Sequence, residues 1–247
     1  MAGIGRFASG IPDVGPGTPD PSQIAFTNVT LMSVLLRAYD VKSYQAAGPD
    51  WLLSERYDIA AKIPPGATME QFHLMLQNLL ADRFHLALHH ETRQLQGYEL
   101  VTGKGAPKLK PSTETGPNVE PTSAPKTDIK GFPQLAAPGL VLMEGIRGRA
   151  VVSFLTARAQ PLSALAETLS KEFRMPVIDK TGLTGRFDFT LEFAPQAPGA
   201  LPADSQDESA PNLISAIPQR LGLKLESKKI PVDVLIVDSA DRIPTEN

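Results

Sequence analysis

The chain has no cysteine. That excludes disulfides, thiolate nucleophiles and cysteine-based zinc sites, and it leaves the compartment open. No apolar run approaches the roughly 18 residues of a membrane-spanning helix. Neither sign of charge is in excess: 24 Lys and Arg against 27 Asp and Glu give a net charge of -3. Neither a nucleic-acid footprint nor a polybasic membrane anchor is therefore expected. Tryptophan is nearly absent, Trp51 being the only one. No nucleophile elbow, P-loop or dinucleotide fingerprint occurs. Residues 1–25 are rich in Gly and Pro and lack the basic start and apolar run of a signal peptide. No export signal is expected in the chain as written.

What is present is an ordinary globular composition, 42% hydrophobic and 21% charged over 247 residues. That is enough to bury one large core or two small ones. The most informative feature is a loose repeat. Arg56-Tyr57-Asp58-Ile59 opens a strand predicted over 56–63, and Arg186-Phe187-Asp188-Phe189 opens one over 186–193. Each strand has an amphipathic helix before and after it. Leu31, Val34 and Ala38 share their helical spacing with Leu162, Leu165 and Leu169. Leu76, Leu80, Phe84, Leu86 and Leu88 share theirs with Leu213, Ile217, Leu221, Leu223 and Leu225. Duplication explains these matches; chance likeness of two amphipathic patterns is the alternative.

The fold class expected is α+β, as two pseudo-repeated helix-on-sheet modules of βαββαβ type joined by a long flexible linker. Residues 1–23 read as a disordered segment, 24–102 as module one, and 103–138 as a Pro/Thr-rich linker with little to bury. Residues 139–247 read as module two, with a Pro/Ala/Asp-rich loop at 195–211. Thr30 is a predicted N-cap, and Thr68-Met69-Glu70-Gln71 a predicted capping box. Strands are predicted at 85–93 and 96–102, joined by a hairpin through Leu95–Gly97. Shorter ones are expected at 140–144, 150–155, 175–179 and 232–237. Gly48-Pro49-Asp50-Trp51 reads as a turn. Pro218 sits within the last predicted helix and requires it to start near Leu213.

The chemistry-bearing residues do not form a catalytic constellation. All four histidines, His73, His85, His89 and His90, lie in one stretch. On a strand His85, Ala87, His89 and Glu91 share one face, and Ala87 spaces the two histidines too widely for one small ion. Surface histidines are the simpler reading; the enzymatic alternative is an unrecognised hydrolase centred on His85, His89 and Glu91. Asp179-Lys180-Thr181-Gly182 resembles the phosphorylated aspartate motif of ion-pumping ATPases and the K-T-G element of penicillin-recognising enzymes. The first lacks its following Thr. The second has its S-x-x-K partner only at Ser123–Lys126, in the linker. A turn explains the stretch. Asp188 with Glu192, and Asp58 with Lys62, share strand faces as alternating charges on a half-solvated sheet. Trp51 either packs over the module core or anchors a partner. The candidate binding residues are Trp51, Tyr57, Asp58, Asp179 and Thr181; no catalytic residue, metal ligand or cofactor is assigned.

Several stretches are recognisable as a set: Phe26–Leu31, Gly48–Leu52, Met75–Gln77, Leu80–Phe84, Val177–Gly185, Leu221–Leu225 and the closing Pro244-Thr245-Glu246-Asn247. Together they resemble an uncharacterised domain-of-unknown-function family expanded in Acidobacteria and other soil bacteria, over roughly residues 24–247. Members of that family usually carry a signal peptide, and some are fused behind an antirepressor-type metallopeptidase resembling the β-lactam sensors. The resemblance implies a periplasmic or secreted location and no assigned activity. A second, architectural resemblance is to the short N-terminal interaction modules of secretins and TonB-dependent receptors. The expected function is a non-catalytic binding module of the bacterial cell envelope, pairing with an envelope protein or peptide through a strand edge, with no nucleic acid and no membrane span. A small-ligand sensor domain is a further alternative.

Overall fold

A computed structural model describes residues 15, 16, 18, 21–119, 125–148, 150–195 and 211–245. Most of the segment 1–23 expected to be disordered, and residues 196–210 of the expected loop, lie outside the described residues. In chain order the elements are β1 (Gln23–Thr30), α1 (Leu31–Ala38), β2 (Ala46–Ala47), α2 (Trp51–Ser54), β3 (Arg56–Lys62), α3 (Met69–Phe84), β4 (Ala87–Thr102) and β5 (Lys110–Ser112). They continue with β6 (Gly139–Arg147), β7 (Ala150–Gln160), α4 (Leu162–Phe173), β8 (Val177–Asp179), β9 (Arg186–Phe193), α5 (Leu213–Leu221) and β10 (Leu223–Ser239). The class is α+β, as expected.

The chain divides into two compact units. Residues 4–94 and 231–247 form a terminal unit, and residues 95–230 a central one. The division falls inside β4 and inside β10.

In the terminal unit, Thr30 caps α1 by accepting from the Ser33 N–H at 3.2 Å. The predicted capping box starts α3: Thr68 N–H donates to Gln71 Oε1 at 2.9 Å, and Gln71 N–H to Thr68 Oγ1 at 3.2 Å. Two donors that the helix leaves without partners are thereby satisfied. Leu31, Val34, Leu35 and Ala38 of α1 are buried in one cluster with Phe72, Leu76 and Leu80 of α3. Each such leucine stabilises the unit by about 2 kcal/mol relative to an exposed one. β1 and β3 pair antiparallel beside them, and β2 pairs parallel with Leu235–Ile236 of β10.

In the central unit a sheet runs in the order β5-β9-β7-β6. Leu155, Ala157, Phe189, Leu191 and Phe193 on its inner face are buried with Leu162, Leu165 and Leu169 of α4 and Leu213, Ile217 and Leu221 of α5. β8 pairs parallel with Tyr98–Leu100 of β4. Asn212 caps α5 by accepting from Ser215 N–H, so the helix starts at Leu213 as expected; Pro218 nevertheless lies inside it, at the sixth position, where it has no N–H to donate.

Several expectations are corrected. There is no hairpin at Leu95–Gly97: β4 is one continuous strand. Gly97 is there for contact, since a Cβ on it would lie 2.3 Å from the Pro176 carbonyl oxygen. Of the stretch 103–138, read as a flexible linker, the described residues 103–119 and 125–138 are tied into the central unit. β5 pairs with β9, Lys108 N–H donates to Leu221 O at 2.8 Å, and Glu114 takes a bidentate ion pair from Arg158. Composition predicts low order because few of its side chains are buried; its backbone is held by hydrogen bonds instead. Leu223 and Leu225 stand on β10, past the left-handed Gly222 that ends α5. The Gly48–Trp51 turn is followed by a single helical turn, α2. Glu192 does not face solvent: it is buried and paired with Arg147 at 2.8 Å.

Candidate functional site

The five predicted binding residues are divided between the two units. Trp51, Tyr57 and Asp58 belong to the terminal unit, Asp179 and Thr181 to the central one, and each is engaged locally.

Trp51 is half-buried as the first residue of α2, with the Arg242 guanidinium 5.6 Å above its ring. Arg242 Nη1 also lies 3.4 Å from Glu55 Oε1. The Tyr57 hydroxyl points at the Arg242 carbonyl oxygen, 2.9 Å away, and at Glu55 Oε2, 3.1 Å away. Its ring meets Phe84 edge-on at 5.1 Å. Burial pushes the Tyr57 hydroxyl up from its ordinary 10.0 to about 12, helped by the Glu55 hydrogen bond and opposed by Arg242. These contacts hold the segment after β10. Three of the carbonyls left open at the end of α3 are satisfied by that segment. Asp241 N–H donates to Phe84 O at 2.7 Å, Thr245 N–H to Arg83 O at 2.9 Å, and Thr245 Oγ1 to Asp82 O at 3.2 Å.

Asp58 belongs to a backbone clamp. β1 carries a bulge at which Asn28 takes a left-handed φ of 56°. Asp58 Oδ1 accepts the Asn28 N–H at 2.8 Å, and Arg56 Nη1 donates to the Asn28 carbonyl at 3.3 Å. The same arrangement occurs in β7. Ala159 has a φ of 51°, Asp188 Oδ1 accepts its N–H at 2.8 Å, and Arg186 donates to its carbonyl at 3.0 Å. The Arg-x-Asp motif thus supplies one donor and one acceptor to a bulge residue whose polar groups the ladder abandons.

Asp179 and Thr181 build a turn. Asp179 Oδ1 accepts from Thr181 N at 2.9 Å and Thr181 Oγ1 at 2.7 Å, and Gly182 follows at a φ of 69°.

His85 does not lie on a strand face: it ends α3 in the left-handed region, at a φ of 45°. Its Nδ1 lies 2.8 Å from Asp241, that of His89 2.9 Å from Asp238, and that of His90 2.7 Å from Asp233. All three pairs are exposed. His73 sits beside Phe72. Glu91, the third member of the expected hydrolase set, is bonded to Arg93, which holds its carboxyl low. No group of three or more histidines and carboxylates among the described residues is placed to hold a metal ion.

The surface that the sequence reading missed is the β6–β7 hairpin of the central unit. The hairpin is in register from Gly139↔Arg158 to Arg147↔Ala150. β6 is the last strand of its sheet. Among the described residues only β7 pairs with it, so its outward backbone groups are unpartnered there. At its end Ile146 and Val151 face each other across the hairpin, 79% and 52% exposed. Alternation from Leu140 and Leu142, which pack on the core, places Glu144 and Ile146 on the inner face of the sheet. Met143, Gly145 and Arg147 take the outer face, where a groove of about 570 Å³ runs between them and the turn 127–131, over Phe154. Asp128 Oδ1 fixes that turn by accepting from Lys130 N at 2.8 Å and Phe132 N at 2.9 Å. The turn presents Ile129 fully exposed. Arg147 closes the groove's end, donating to Lys130 O at 2.8 Å with its guanidinium 5.4 Å from the centre of the Phe154 ring. A second groove, of about 630 Å³, is lined by Lys110, Glu114 and Arg158, and its Arg158 is committed to Glu114 and to Leu135 O.

No helix among the described residues is long and apolar enough to cross a membrane. Residues 32–240 match the model of one family, described as protein of unknown function (DUF3738), and the chain belongs to that family. No curated protein and no solved structure matches the chain.

Proposed function

We propose that this member of the DUF3738 family is a non-catalytic binding module of the bacterial cell envelope, working outside the cytoplasm. It takes up an extended segment of an envelope protein along β6. One observation carries the proposal: β6 is a nine-residue edge strand with a run of Leu140, Val141, Leu142 and Met143, ending beside the exposed pair Ile146 and Val151. Edge strands are ordinarily blunted by proline, lysine or a bulge, because unpaired N–H and C=O groups recruit other chains. β6 has no proline and no lysine. Other edges are blunted: β1 by its bulge at Asn28, β3 by Arg56, Asp58 and Lys62, and β10 by Lys224, Lys228, Lys229 and Pro231. Strand addition gives affinity through the backbone and specificity through alternate side chains.

The extracytoplasmic location rests on the resemblance of the quoted motifs to exported proteins. Duplication of the chain belongs to the same proposal, and the paired clamps at Asn28 and Ala159 support it.

The test is site-specific photo-crosslinking of the full chain in an envelope extract of its host. A benzophenone side chain at Ile146 is expected to capture one dominant protein, and the same probe at exposed Leu74 on α3 none of it. Equal capture from both positions, or none from Ile146, refutes the proposal. Turnover of a substrate that is lost in H89A refutes its non-catalytic part.

A further inference from the structure

The chemistry around β6 narrows what its occupant can be. On the inner face Glu144 stands beside Ser153 of β7 and is exposed. Glu172, near the end of α4, is half-buried, and that burial first and the charge of Glu144 second raise its carboxyl above the ordinary range. No ion pair among the described residues neutralises either one. The nearby cations are committed, Lys171 to Glu167 at 3.0 Å and Arg147 to Glu192 at 2.8 Å. On the outer face, one residue further along, the groove over Phe154 is walled by Met143 and Ile129. Gly145 opens its floor, since a Cβ there would stand 3.0 Å from the Phe154 ring. An added strand alternates its side chains between these two faces. The residue opposite Glu144 falls within about 5 Å of it between Cβ atoms, and its neighbour in sequence enters the groove.

Resting on the reading of β6 as a docking edge, we propose that its occupant is an extended peptide segment with a lysine or arginine opposite Glu144 and a bulky apolar residue next to it, seated in the groove against Ile129 and Met143. The cation pairs with Glu144, which is exposed on the edge strand and has no ion-pair partner among the described residues, and the apolar side chain covers an isoleucine that a rigid turn holds in water.

The experiment uses fluorescence anisotropy of the full chain with three synthetic strand peptides of about ten residues. One has lysine followed by leucine at its centre, one glutamate followed by leucine, and one lysine followed by alanine. The lysine–leucine peptide is expected to bind tightest, with either replacement weakening it about fivefold or more. The variant E144Q/E172Q is expected to remove the preference for lysine over glutamate. The charge-matched control D50N/E70Q in the terminal unit is expected to keep it, which separates a local effect from net charge. Equal binding of the lysine and glutamate peptides, or a preference that survives E144Q/E172Q, overturns the inference. So does failure of all three peptides to bind. In each case crosslinking from Ile146 to a host protein still decides the β6 reading by itself.

Discussion

Asp188→Ala removes one half of the clamp on Ala159, and its cost can be worked from the geometry. The lost bond runs from the Ala159 N–H to a carboxylate at 2.8 Å. Hydrogen bonds to charged groups contribute about 1.5–3 kcal/mol. The Asp188 side chain is 33% exposed, which argues for the middle of that range, about 2 kcal/mol. Ala159 is buried and its N–H has no ladder partner, so no other group takes over. Ala159 also holds a left-handed φ without the local side-chain hydrogen bonding that lets asparagine do so. Asp58→Ala deletes the matching bond to Asn28, but there donor and acceptor are exposed and the residue is an asparagine. About 1 kcal/mol is expected. Urea unfolding followed by far-UV circular dichroism measures both. A loss of about 2 kcal/mol corresponds to about 6 °C in melting temperature for a unit of this size. Ala159→Gly is the control: relief of left-handed strain, about 1 kcal/mol, offsets loss of a buried methyl, about 0.8 kcal/mol, leaving stability nearly unchanged. The reasoning is refuted if Asp188→Ala stays within about 0.5 kcal/mol of the parent, or if Asp58→Ala costs as much.

Three further outcomes are expected. Tyr57 is raised to about 12 in the folded chain from an ordinary 10.0, so its contribution is intact below pH 10 and lost as pH rises towards 12. Tyr57→Phe should flatten the stability profile across that window in alkaline denaturation while costing about 1 kcal/mol at neutral pH; an unchanged slope contradicts the assignment. Gly97→Ala places a methyl within 2.3 Å of Pro176 O and 2.7 Å of its Cγ, and should destabilise the central unit by about 3 kcal/mol through loss of the β4–β8 pairing. A small change in urea midpoint would mean that the β8 segment yields. Thr245→Ala deletes the hydroxyl bond to Asp82 O. It should cost about 0.5–1 kcal/mol, with faster amide exchange at Asp241 and Thr245; unchanged exchange would show the tail held by other contacts.

What was legible in the sequence was what depends on local chemistry and period. The Thr30 cap and the Thr68–Gln71 box follow from short-range rules about orphan donors, and the strand at 186–193 from its repeat of the 56–63 pattern. The Asp179–Thr181 turn was also readable, since its hydrogen bonds span only two residues. What was not legible depends on partners distant in the chain. Gly97 carries the same signal whether it turns the chain or makes room for Pro176, and only the fold separates the two. Residues 108–112 of the expected linker hide their order in backbone bonds to β9 and α5, which composition does not report. Asp58 read as a candidate binding residue because an exposed acid on a strand gives no sign that it faces a bulge residue of another strand. The Glu144, Ile146 and Ile129 surface joins two segments whose nearness arises only from hairpin register and the Asp128 turn.

The placement of the two units along the chain bears on how the protein is made. The central unit uses the continuous span 95–230, whereas the terminal unit is closed by Leu235 and Val237 of β10, buried in the same cluster as Leu31 and Leu76. During synthesis, therefore, residues 95–230 have all their own strands before the terminal unit has its last. Loop-closure entropy must be met across more than half the chain before those late contacts form. The expected order on the ribosome is central unit first, with α1 and α3 waiting as a partly covered helix pair, the species that a chaperone would meet.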